Sequence, residues 1–137
     1  IIGKTMQVDV VSPEKLLFSS EAISVEIPGA DGDMTAMANH APLITTLRPG
    51  VLRVVQEKDT SEYVVTGGFA ELGQGVSVLA EKAVLRDDFD KKMFDELVAV
   101  AEESLEAAKA NTTGDAVDMA AKFLSDFNIL GESLGFK

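Results

Sequence analysis

The chain contains no cysteine and no tryptophan, and histidine and tyrosine occur once each, as His40 and Tyr63. Without thiols there are no disulfides, no thiolate nucleophile and no cysteine-based zinc site, a composition that suits a reducing compartment. A lone histidine likewise rules out HExxH and every other paired-histidine metal motif. Aromatic residues are only 6% of the total, so the stacking platforms that hold single-stranded nucleic acid are scarce. Positive charge is scarce too. Twelve Lys and Arg stand against 23 Asp and Glu, and the resulting net charge of -11 repels a phosphate backbone and an anionic bilayer surface alike. Nucleic acid is therefore not an expected partner. No apolar run approaches the ~20 residues that a spanning helix needs, so no direct membrane insertion is expected. The opening Ile1-Ile2-Gly3-Lys4-Thr5 shows no signal-peptide pattern and is given no part in the fold.

What is present describes a folded protein. A 46% hydrophobic content with 26% charged residues over 137 positions supports one medium domain, or a small domain with an appendage. Up to residue 85 the pattern is short and alternating: Met6, Val8 and Val10 alternate with Gln7 and Asp9, and Ile23, Val25 and Ile27 alternate with Ser24 and Glu26 before Pro28-Gly29. A period of two predicts strands with one buried face. Further apolar runs at residues 43–47, 51–56, 63–66 and 76–80 are separated by Arg48-Pro49-Gly50, Glu57-Lys58-Asp59, Gly67-Gly68 and Gly73-Gln74-Gly75. The prediction for residues 1–86 is an all-β antiparallel sandwich.

Beyond Arg86 the period changes. Asp87, Asp88 and Asp90 suit an N-cap and first turn, and Phe89, Met93, Leu97, Ala101, Leu105 and Ala108 then recur every three or four residues. After the break at residues 111–115, Ala116, Met119, Ala120, Phe123, Leu124 and Phe127 restart the same pattern. Residues 87–137 are thus predicted to form an antiparallel α-helical hairpin, with Met119, Phe123 and Phe127 packing on Met93, Leu97 and Leu105 and a glycine-bearing tail over 131–137 that frays. The hairpin is the more acidic piece: 12 acids and 5 bases, against 11 and 7 in residues 1–86.

Candidate chemistry is thin. His40 lies in Asn39-His40-Ala41-Pro42, a turn context in which a histidine serves a loop or interface more readily than catalysis. Asp31-Gly32-Asp33 lacks the spacing and closing glutamate of a calcium loop and reads as a solvated turn. The glycine pairs lie between strands, whereas phosphate-binding loops open a helix. Asn111-Thr112-Thr113 spells a glycosylation sequon with no meaning outside a secretory route. No catalytic set, cofactor site or metal site is expected; a small hydrolase would need a converging acid, base and nucleophile, which a single His and no Cys supply poorly, and a ligand-binding sandwich would show aromatic residues on its exposed strand faces, where Tyr63 is the only polar aromatic.

Three segments carry a resemblance. Val10-Val11-Ser12-Pro13-Glu14-Lys15-Leu16-Leu17-Phe18 is similar to an opening strand and turn, and Ile27-Pro28-Gly29-Ala30-Asp31-Gly32-Asp33 leads into Asn39-His40-Ala41-Pro42-Leu43 and Leu47-Arg48-Pro49-Gly50-Val51-Leu52-Arg53-Val54. Tyr63-Val64-Val65-Thr66-Gly67-Gly68-Phe69-Ala70-Glu71-Leu72, followed by residues 76–83, resembles a closing strand pair. Together, in this order, they resemble the epsilon subunit family of F-type ATP synthases, whose mitochondrial counterpart is called delta. Where that family shows a glycine and then Pro-Gly ahead of the histidine, this chain has Thr35, Ala38 and Asn39. The resemblance implies a non-catalytic rotor component of the central stalk on the cytoplasmic face of a bacterial inner membrane, or on the matrix side in a mitochondrion. Its implied partners are the gamma subunit and the polar loops of the c ring for the sandwich, with alpha and beta reached through the helices, which in such proteins can restrain ATP hydrolysis. It also implies a ring-facing segment over residues 33–42, with Asp33, Met37, His40, Ala41 and Pro42 as the contact residues. Some relatives bind ATP through a signature ending in Arg-Ala at the start of the first helix. Here that stretch is Phe89-Asp90-Lys91-Lys92-Met93-Phe94, with Met93 at the arginine position, and no ATP binding is expected.

Overall fold

A computed structural model describes residues 4–111 and 114–136. The chain divides into two compact units, Ile1–Arg86 and Asp87–Lys137.

The first unit is a ten-stranded sandwich. One sheet orders its strands β2-β1-β9-β8-β5: β1 is Met6–Val11, β2 Leu16–Ala22, β5 Leu43–Thr46, β8 Gly68–Leu72 and β9 Val76–Ala80. The facing sheet runs β10-β7-β6-β3-β4: β3 is Ser24–Gly29, β4 Gly32–Met37, β6 Gly50–Val55, β7 Thr60–Val65 and β10 Ala83–Leu85. The alternation legible in the sequence is the alternation of burial. Val8, Val10, Val25, Ile27, Leu52, Val54 and Val78 are sealed between the sheets, each contributing roughly 1.5–3 kcal/mol on full burial. Tyr63 joins this core, and burial pushes its phenol pKa up against the opposing effect of a hydrogen bond from the Ser61 side chain.

The expected antiparallel sandwich holds, with one parallel pairing inside it, β1 with β9, Val8 beside Val76 and Val10 beside Val78. Two expectations are corrected in this unit. The segment read as strand and turn ends in a full strand, β2, whose polar Ser19-Ser20-Glu21 hides it: an edge strand has only one sheet neighbour and little need of an apolar face. Asp31-Gly32-Asp33 is not one solvated turn. Ala30 and Asp31 make a two-residue hairpin turn, and Gly32 and Asp33 already pair with Gly29 and Pro28 as the start of β4.

In the second unit, α1 is Lys91–Asn111 and α2 is Asp115–Leu134, packed as a hairpin. Of the three acids read as its start, Asp90 is the cap: the Met93 N–H donates to Asp90 Oδ1 at 2.9 Å. Asp87 and Asp88 lie in a preceding 3₁₀ turn, Arg86–Asp88. The seam differs from the expected one. Phe94, Ala101, Phe127, Leu130 and Gly131 are buried, while Met119 is 73% exposed. Each four-residue step overshoots a full turn by about 40°, so Met119 sits about 80° round the helix from Phe127 and leaves the apolar stripe. The fraying expected for the tail is also overturned: α2 continues to Leu134, with Gly131 buried inside it. Lys137 and the Thr112-Thr113 part of the sequon lie outside the described residues.

Candidate interaction surfaces

Strand register places one apolar row and one mostly polar row on the outer face of the first sheet. Across the β2-β1-β9-β8-β5 sheet the pairings Leu16 with Val11, Val11 with Leu79, Leu79 with Phe69 and Phe69 with Thr46 string one row over all five strands. Its members alternate with Val10, Val78 and Ala70, which are fully buried, so the row points outward. Leu16 is 59% exposed, Phe69 49% and Leu79 46%. The neighbouring row, Asp9, Ser77, Glu71 and Ile44, is mostly polar. There Asp9 Oδ1 accepts from Ser19 Oγ at 2.6 Å and from Gln7 Nε2 at 3.1 Å, beside a shallow open hollow of about 260 Å³ lined by Gln7, Asp9, Glu71 and the Gly73-Gln74-Gly75 turn. Sequence reasoning missed the apolar row. The signal was available: Leu79 and Phe69 are large apolar residues on the phase of their strands that Ser77 and Glu71 mark as polar.

The five residues expected in one ring-facing segment do not form one patch. Asp33 lies at the turn end of β4, opposite Pro28, while Met37 lies at its far end opposite Ser24, ~13 Å away at ~3.3 Å per residue. Asp33 is held by Arg48, whose guanidinium donates to its Oδ1 and, at 2.5 Å, to the Gly29 carbonyl. Around this end stand the exposed Glu14, Lys15, Asp31, Glu81 and Lys82. Met37 is 57% exposed, and residues 38–42 carry the chain from it to Leu43 on the other sheet, so His40, Ala41 and Pro42 share its end of the sandwich. The turn there is built on Asn39, the one described non-glycine residue with positive φ, at 62°. Asparagine tolerates the left-handed region that most residues avoid. The half-buried His40 donates from Nδ1 to the Ala41 carbonyl at 2.6 Å, a local bond that fixes its tautomer. Nothing converges on it: no group of three His, Asp or Glu residues is clustered among the described residues.

Residues 5–86 match the family model described as the ATP synthase delta/epsilon chain, beta-sandwich domain. The chain belongs to this family. An ATP synthase epsilon chain from Fuscovulum blasticum is 53% identical over 136 residues, spanning 98% of this chain and all of its own. That from Ruegeria sp. (strain TM1040) is 50% identical, covering 95% of this chain and 96% of its own. Among solved structures, a chain of the Euglena gracilis mitochondrial ATP synthase (OSCP/F1/c-ring) aligns with a TM-score of 0.71 at 21% identity, covering 98% of this chain and 84% of its own. At that identity the alignment speaks for the fold alone, and it spans both the sandwich and the hairpin of this chain. No helix of the described residues is long and apolar enough to cross a membrane.

Proposed function

We propose that the chain is a non-catalytic subunit of the rotating central stalk of an F-type ATP synthase, joining gamma to the c ring. Family membership makes it a component of that complex. The observation that carries the rotor reading is the apolar row on the outer sheet face, Leu16, Val11, Leu79 and Phe69, a contiguous surface that a soluble domain leaves uncovered only where a partner takes it. Gamma occupies this face and the Met37, His40, Ala41 and Pro42 corner, which Leu43 and Ile44 join to it. The c ring takes the charged turns around Asp33, at the end of the sandwich away from Met37 and beside the apolar row, where charged side chains meet polar loops. A close-packed sandwich between two partners transmits torque with little compliance, because its interior is as dense as an organic crystal. The hairpin reaches alpha and beta. With its excess of acids it acts as a weak brake on hydrolysis, and the subunit works at the cytoplasmic face of the membrane, or in the matrix if the source is mitochondrial.

Because the chain has no cysteine, single thiols report contacts cleanly. In the assembled enzyme, Asp33→Cys should cross-link to the c subunit, while Met37→Cys and His40→Cys should cross-link to gamma. Failure of the chain to co-purify with gamma would sink the rotor reading, and the reverse cross-linking pattern would exchange the two surfaces.

A further inference from the structure

The hairpin is closed, at the end away from its connecting link, by a ring cluster whose last member lies beyond α2. Gly135 adopts a left-handed φ of 81°, its N–H donating to the Glu132 carbonyl at 3.2 Å, and the Phe136 N–H donates to the Gly131 carbonyl at 2.8 Å. This paired capping pattern stops the helix and reverses the chain. The Phe136 ring thereby comes to 6.1 Å from the Phe89 ring and 5.5 Å from the Phe94 ring, centroid to centroid. Gly131 is what lets α2 lie so close, since a Cβ there would sit 2.3 Å from Phe94 Cζ. A residue before α1, one in its first turn and one after α2 thus meet in a single cluster.

The packing along the hairpin is uneven. Its large buried side chains, Phe89, Phe94, Phe127 and Leu130, belong to the cluster end, whereas toward the link the buried seam holds Ala101 and beyond it only half-buried Leu105, Ala108, Val117 and Ala120. We propose that Phe136 is a latch: its ring holds the free end of α2 on α1, and the hairpin opens from this end when the ring leaves. Any partner that captures Phe136, or any trimming that removes it, favours the open hairpin, because an equilibrium follows whatever binds one state preferentially. As a control on hydrolysis the latch rests on the rotor reading; as a property of the hairpin it does not.

The test uses the full chain with Lys92→Cys and Glu132→Cys, two exposed positions that become its only thiols, carrying spin labels. The parent should give one short distance. Adding Phe136→Ala should bring in a longer-distance population and raise proteolytic cleavage within the hairpin about tenfold, with helix content unchanged by circular dichroism, because each aromatic pair adds stabilisation beyond its buried area. Phe136→Tyr should restore the short distance. Unchanged distances and cleavage would overturn the latch, and so would loss of α2 helicity, which would make Phe136 part of the cap alone. Gamma binding, measured on the same samples, reports separately on the rotor reading.

Discussion

Replacing Phe69 and Leu79 together by threonine tests whether the outer sheet face binds gamma. Complete burial of either side chain is worth roughly 1.5–3 kcal/mol. Each is about half covered in the free chain, at 49% and 46% exposure, so a partner can still gain about half of that from each. The pair then contributes about 1.5–3 kcal/mol to association, and at 1.4 kcal/mol per decade its loss weakens Kd by about ten- to a hundredfold. Threonine keeps strand propensity, but the half of each side chain already packed is lost to folding as well, so the melting temperature also falls. Leu85→Thr controls for this: Leu85 is equally exposed, at 46%, yet belongs to β10 of the other sheet. Titration calorimetry against purified gamma, well below the melting transition, should show the loss for the double substitution and not for Leu85→Thr. A double variant within twofold of the parent, or an equal loss from Leu85→Thr, would refute the assignment of this face.

Asn39→Val should destabilise the sandwich by about 1–2 kcal/mol in urea titrations, since a β-branched residue resists the left-handed turn, whereas Asn39→Gly should stay within about 0.5 kcal/mol. Calorimetry with millimolar ATP should give no binding heat, because Met93 offers no donor where the nucleotide-binding relatives carry an arginine, and a clear isotherm in that range would overturn the reading. Truncation after Arg86 should leave a folded sandwich that binds gamma and retains the 3.1 Å Arg86–Glu62 ion pair. Hydrolysis by the enzyme assembled with it should rise less than tenfold, and a larger release would make the hairpin a principal inhibitor.

The architecture was legible wherever one local period ran unbroken. Met6, Val8 and Val10, or Ile23 through Ile27, mark strands by themselves, because a half-buried strand must alternate, and the switch to a three-to-four spacing after Arg86 locates the hairpin. Strand β2 escaped because an edge strand can be polar, and β4 because its glycine and acids look like a turn. The parallel pairing of β1 with β9 has no local signature at all, since residues nearly 70 positions apart decide it.

The sequence by itself determined the two-part layout, the acidity and the family, each a property of composition or short-range pattern. Only the tertiary structure decided the surfaces. It took Asp33 and Met37, four residues apart, to opposite ends of the sandwich, because a strand carries its residues ~3.3 Å apart in a nearly straight line. It also assembled Leu16, Val11, Leu79 and Phe69 from four strands into one row, and Phe89, Phe94 and Phe136 into one cluster. Register and helix packing set those neighbourhoods, and both are fixed only when distant segments close on a common core.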